Sequence, residues 1–259
     1  MAAQLHFSDI AWRSEIGLHR DGNEDSGFVS QSVLAVADGM GGYIGGEIAS
    51  SAVIAKLAEL TTVLNNPELD SDSREDLLRS SVASMDAAIA EVGKERPELI
   101  GMGTTLTTLA LFNNLVLLLH IGDSRAYRVR GKKIEQISHD HTVVQELVDQ
   151  GRLTLDEIAE HPQRSFLTQA IMGKENLAPI LIAYPAEKGD RYLICSDGLT
   201  AVVDESKILH ALQLDLTSAV DSLIDLTYKN GAPDNVTVIA AEITDVASTI
   251  SPTKFGAAS

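Results

Sequence analysis

The sequence contains a single cysteine, Cys195. No disulfide can form within the chain, which fits a reducing compartment and points to the cytoplasm. Aromatic residues make up only 4% of the chain, so a core has to be built from Leu, Ile, Val and Ala. Cations are scarce: 20 Lys and Arg stand against 37 Asp and Glu, giving a net charge of −17. Such a surface repels nucleic acid and anionic membranes, so neither is expected as a partner. Long apolar runs are missing too. The longest, Leu115–Leu119, is the length of a strand, well short of the ~18 residues of a membrane span. Met1-Ala2-Ala3-Gln4 lacks the basic and apolar regions of a signal peptide. A soluble monomer with no membrane segment is expected.

Apolar residues nevertheless reach 44%, enough for a sizeable core. Leu5–Trp12 reads as a strand and Val33–Ala37 as a short buried one, with the polar loop Arg20–Asp25 between them. Helical spacing runs over 45–64 and again over 71–95, where Ser73 and Asp76 resemble a capping box. The period then shortens. Strands are expected over 104–112, 115–121, 126–129 and 133–137, with Asn113-Asn114 as a turn. Short helices follow over 142–150 and 154–159, strands over 179–184 and 192–195, a helix over 216–229 and a last strand over 236–243. Segregated strands and helices favour an α+β fold over a doubly wound sheet. One domain over residues 1–244 is expected, with 245–259 a flexible tail of Ser, Thr, Pro, Gly and Ala.

Four aspartates share a setting. Asp38, Asp123 and Asp197 each follow an apolar strand beside a glycine or small polar residue, and Asp234 precedes one. A fifth acidic site is Asn23-Glu24-Asp25. Each alone reads as a turn. Together, strand ends on one edge of a sandwich converge, and several carboxylates there repel one another unless cations pair them. Oxygen donors without His or Cys suit Mg²⁺ or Mn²⁺. Two such ions activate water and polarise a phosphate, and Arg20 is placed to grip phosphate oxygens in a fork.

Other phosphate chemistries do not fit. A cysteine phosphatase needs Arg six residues after its Cys, and Ala201 stands there. The glycine run from Gly41 to Gly46 is followed by Glu47, where a P-loop needs Lys. No Gly-x-Ser-x-Gly elbow is present. His139-Asp140-His141 is assigned to capping and solvent, and Arg125 to pairing with a carboxylate.

Six ordered segments carry a resemblance: Arg20–Asp25, Val36–Gly42, Gly101–Thr105, His120–Arg125, Ser196–Leu199 and Asp234–Thr237. Through them the chain resembles the protein phosphatase 2C family of metal-dependent Ser/Thr phosphatases, in particular its bacterial branch. The resemblance implies a four-layer α-β-β-α sandwich of two antiparallel sheets flanked by helices. It implies two to three Mn²⁺ or Mg²⁺ ions, with Asp38 bridging and the Gly39 carbonyl as a ligand. Asp197 and Asp234 would complete the first metal site, and Asp25 would serve the second, directly or through water, with Glu24 beside it. Asp123 and Asp197 would form a third site near Ser165. Arg20 would bind substrate phosphate, and residues 139–172 would form a flap. The implied reaction is direct attack of a metal-bridging water on phosphoserine or phosphothreonine, opposing Ser/Thr kinases, which are themselves expected substrates. Many relatives carry a histidine where Tyr43 stands, which leaves the general acid unassigned, with His19 as one candidate. A non-catalytic regulator of the same fold and a two-metal phosphodiesterase remain as alternatives.

Overall fold

The structure, a computed structural model, describes residues 4–175, 177–247 and 249–259, with the side chains of 42–44 and 159 also outside the described set. In chain order the strands are β1 (His6–Glu15), β2 (Asp25–Val29), β3 (Val33–Met40), β4 (Gly103–Thr104), β5 (Leu106–Phe112), β6 (Leu115–Ile121), β7 (Arg125–Arg130), β8 (Lys133–Gln136), β9 (Ile180–Pro185), β10 (Arg191–Cys195), β11 (Val236–Thr244) and β12 (Thr253–Gly256). The helices are α1 (Gly42–Leu64), α2 (Ser71–Glu95), α3 (Val143–Asp149), α4 (Asp197–Thr200), α5 (Glu205–Ala211) and α6 (Leu216–Lys229). One sheet runs β1-β11-β10-β7-β8, and the other runs β12-β2-β3-β5-β6-β9 with β4 beside β3. Every pairing between these strands is antiparallel.

The layers follow from strand alternation. On β3, Val33, Ala35 and Ala37 pack toward Val53, Leu57 and Leu64 of α1 and Leu78 and Met85 of α2. Leu34 and Val36 face the other way, into a core between the sheets with Tyr192, Ile194, Ile239 and Ala241. On β11, Val236, Val238 and Ala240 meet Ile208 of α5 and Val220 and Leu223 of α6. The result is α-β-β-α, as expected. Cys195 is buried in the layer under α6, a core residue rather than a nucleophile. The β5–β6 hairpin turns on Asn113 and Asn114, both at positive φ (51° and 61°), the conformation that a two-residue hairpin turn requires.

Several boundaries differ from the sequence reading. The cap of α2 is Asp70, whose side chain accepts from the Ser73 amide; Ser73 lies inside the first turn. Strand β2 was not anticipated, nor were α4 and α5. Residues 245–259 do not all form a tail, because β12 pairs with β2 and buries Phe255. The segment 139–172 holds α3 and a 3-10 turn over Leu155–Glu160. His141 is not a solvent residue: its ring stacks on buried His120, with centroids 5.2 Å apart. Arg125 does pair with a carboxylate, forking onto Asp140 at 2.7–3.1 Å.

Candidate metal centre

Asp25 opens β2 and Asp38 lies near the end of β3, and the two are direct partners in the ladder. Their side chains therefore share one face, a placement that is costly for two like charges. The backbone at Asp38 is clamped. Its amide donates to Thr105 Oγ1 (3.0 Å), and its carbonyl accepts from Thr104 Oγ1 and from the Thr105 amide (both 2.9 Å). Thr105 Oγ1 also bonds Ser124 Oγ (2.8 Å), tying Asp38 to the loop that carries Asp123. Gly39 follows with no room for a side chain: a Cβ there would lie 2.2 Å from the Gly46 carbonyl oxygen.

Asp197 and Asp234 arrive from the other sheet. Asp197 is the first residue of α4, just past β10. Ser196 before it donates to Asp25 Oδ2 (2.7 Å) and accepts from the Thr237 amide (2.9 Å), so one hydroxyl joins both sheets. Asp234 precedes β11. Its neighbour Asn235 accepts from the Glu24 amide (2.8 Å) and donates to the carbonyls of Ile16 (2.8 Å) and Gly22 (2.9 Å). That one amide side chain holds the Arg20–Glu24 loop against the loop of Asp234. Arg20 Nη2 donates to Asp234 Oδ2 at 2.6 Å.

Gly198 marks the tightest approach. A Cβ there would meet the Asn235 carbonyl oxygen at 1.9 Å. Gly198→Ala is therefore expected to push α4 off the Asp234 loop and separate Asp197 from Asp234. A loss of about 1–3 kcal/mol, read as a melting temperature lower by several degrees together with weaker metal binding, checks this.

One cleft of about 580 Å³ is lined by Arg20, Glu24, Asp38, Gly39, Asp123, Ser165, Asp197 and Asp234. Asp25 lies behind the wall, 1% exposed, with Oδ1 buried and without a hydrogen-bond partner. His19 is also on the rim, whereas the Tyr43 side chain lies outside the described residues. An adjoining cleft shares Asp123, Ser165 and Asp197 and continues beneath the 139–172 segment past Arg125, Asp140 and Arg164.

The electrostatics of the cluster are adverse. Burial raises the Asp38 carboxyl well above its ordinary range, and Asp25, Asp197, Asp123 and Asp234 add to it. Burial raises Asp25 to about 7 against the bonds from Ser196 and Thr237, with Asp197 and Asp234 adding to the rise. Asp123 is pushed up to about 8 by burial, then by Asp197 and Asp140, with Arg125 opposing. Asp197 and Glu24 are raised too, burial being the largest cause in each.

This donor set fits divalent cations. The donors are carboxylate and carbonyl oxygens, one of them is an orphaned buried Asp25 oxygen, and the excess negative charge is what a cation would cancel. Among the described residues no three acidic or histidine side chains stand in a ready-made ligating arrangement, as repulsion between unscreened carboxylates dictates. Of the residues singled out as site candidates, Arg20, Glu24, Asp38, Gly39, Asp123, Ser165, Asp197 and Asp234 line this cleft, with Asp25 behind them. Sequence reasoning missed the supporting set, Ser196, Thr105 and Asn235. Their only signal was membership of the segments Gly101–Thr105, Ser196–Leu199 and Asp234–Thr237.

Comparison with known proteins bears on the family and the fold. A family model described as Protein phosphatase 2C matches residues 21–236. The serine/threonine protein phosphatase PstP of Mycobacterium tuberculosis is 45% identical over 239 residues, 91% of this chain and 45% of that protein. The chain thus spans under half the length of that relative. The serine/threonine phosphatase stp of Listeria monocytogenes is 30% identical over 241 residues, 89% of this chain and 94% of that one. A crystal structure of the PstP catalytic domain with two manganese ions superposes with a TM-score of 0.85 at 42% identity, covering 93% of this chain and 100% of that one.

Proposed function

The chain belongs to the protein phosphatase 2C family, and on that premise we propose that it is a metal-dependent serine/threonine protein phosphatase. The observation that carries this reading is the cross-strand pair Asp25 and Asp38, gathered with Asp197, Asp234 and Asp123 at a cleft that also presents Arg20. Two bound Mn²⁺ or Mg²⁺ ions would supply Lewis acidity and a water acidic enough to attack phosphorus near neutral pH.

The chain's own residues do the rest. Asp38 would contribute to both metal positions, its backbone clamped by Thr104 and Thr105. The Gly39 carbonyl, Asp197 and Asp234 would complete one position. Asp25, with Glu24 near it, would serve the other. Asp123 and Asp197, beside Ser165, would serve a weaker third. Arg20 orients the phosphate through its planar fork. His19, on the rim of the cleft, is the candidate for moving a proton to the leaving serine or threonine oxygen. The substrates are phosphorylated proteins, Ser/Thr kinases among them. The protein acts as a monomer in the cytoplasm; no helix among the described residues is long and apolar enough to cross a membrane. The catalytic unit extends past residue 244 to include β12, with 139–172 as the flap beside the cleft.

The test is release of phosphate from a phosphothreonine peptide with Mn²⁺, and its loss on chelation. Activity that survives chelation sinks the reading. Arg20→Lys keeps the charge and loses the fork, so KM for the peptide should rise roughly tenfold or more with a smaller change in kcat. Equal loss in kcat and an unchanged KM would remove Arg20 from the role of phosphate grip.

A further inference from the structure

Strand β12 lies outside residues 21–236 of the family match, yet it is built into the metal centre. It pairs with β2 along its length: Thr253 with Val29, Lys254 with Phe28, Phe255 with Gly27 and Gly256 with Ser26. Without β12, β2 would be the open edge of its sheet. The ladder ends on the site. The Ala257 amide donates to the Asp25 carbonyl at 2.8 Å. The Asp25 amide donates to Asn23 Oδ1 at 3.0 Å, and Asp38 pairs with Asp25 from the opposite side.

Two glycines are shaped to this contact. Gly256 sits at φ +70°, and a Cβ on it would lie 2.3 Å from the Asp25 carbonyl oxygen. A side chain there would hold β12 away from Asp25. Gly27 is buried inside β2, and a Cβ on it would lie 2.1 Å from the Phe255 ring. The ring therefore lies flat over the Gly27 backbone, an aromatic covering a strand glycine. Phe255 also meets Trp12 of the facing sheet, with ring centroids 5.9 Å apart. Gly27 and Phe255 are complementary shapes from opposite ends of the chain, which argues that β12 belongs where it lies.

We propose that β12 is a positioning element for the second metal position, acting through Phe255, Gly256 and the Ala257 amide to fix the backbone of Asp25. The proposal rests on the metal-site reading above. The ligand is Mn²⁺ or Mg²⁺. The carboxylate of Asp25 is aimed by a backbone held on both sides, and release of β12 frees one of them.

The experiment is Mn²⁺ calorimetry on the intact chain, on a chain ending at residue 247, and on Ala257→Pro, which removes the donor but keeps the strand's side chains. Affinity for one of the bound ions should fall at least tenfold in both variants, with the other ion's affinity unchanged. A synthetic peptide of residues 249–259 added to the shortened chain should restore it. In an Asp25→Asn background, removing β12 should cost no further affinity, because strand and carboxylate act as one unit. Metal affinity within twofold of the intact chain in both variants overturns the proposal. So does an equal loss in the Asp25→Asn background, which would mean general loosening. An intact chain that binds no Mn²⁺ overturns the metal-site reading itself, and this proposal with it.

Discussion

Asp38→Asn is expected to lower kcat/KM on a phosphothreonine peptide by roughly a thousandfold or more, and to raise the melting temperature of the metal-free protein. The two effects have one cause. Asp38 is buried and faces Asp25, Asp197, Asp123 and Asp234, each of which disfavours its ionised form. In the folded, metal-free chain that charge is a liability, and an amide of the same shape removes it. With metal present, the same charge would serve as a ligand, and the amide would be a weaker one. Paired assays and thermal scans with Mn²⁺ and with chelator check this. A variant that keeps its activity, or one that melts lower without metal, contradicts the reading of Asp38 as a bridging ligand held against repulsion.

The trade of stability for metal affinity bears on how much the sequence disclosed. The aspartates were legible because chemistry placed them at strand ends beside glycines, a local pattern. Asp38 in Leu34-Ala35-Val36-Ala37-Asp38-Gly39 needs no tertiary information to stand out. The residues that aim them were not legible. Ser196 bonds Asp25, and Asn235 bonds the Glu24 amide, across sequence distances that no window spans. Thr105 reads as one more threonine of a strand until its hydroxyl is seen between Asp38 and Ser124.

The fold shows the same division. Strands with apolar character on both faces, such as β3, β6 and β11, declared themselves by β-branched and leucine content. Strand β2 did not. Asp25-Ser26-Gly27-Phe28-Val29 has no apolar alternation, and all five are buried only because Ser26 bonds Ser50, Asp25 bonds Ser196 and Phe255 covers Gly27. Helix α4 spans four residues, too few to show a period. In β12 a single buried apolar residue, Phe255, stands among residues that read as tail, so its partner β2 had to be known first.

Between pH 6.5 and 8 the metal-free chain is expected to lose stability, and Mn²⁺ binding is expected to release protons and restore it. Asp25 is raised to about 7 and Asp123 to about 8, well above the ordinary aspartate range, burial being the largest cause in each. An acid whose folded pKa is raised keeps its proton in the native state after the unfolded chain has lost its own. The native state then binds more protons, and stability falls as pH rises from about 4 until the folded pKa is passed. Buried His120 works in the opposite sense. Its pKa is lowered to about 3, chiefly by burial, so it favours folding increasingly as pH rises from about 3 to 6.5. The two trends offset each other below pH 6.5, and only the carboxylate trend remains above it. The size is on the order of a few kcal/mol per carboxylate. Metal ligands must be deprotonated, so each ion displaces the protons these groups retain. Calorimetry at pH 6.5 in buffers of different ionisation enthalpy should show about one or more protons released, and fewer at higher pH. A metal-free melting temperature that is flat or rising from pH 6.5 to 8, or Mn²⁺ binding at pH 6.5 without proton release, would mean that the cluster is already ionised in the folded chain. The repulsion that makes it a metal centre would then lie elsewhere.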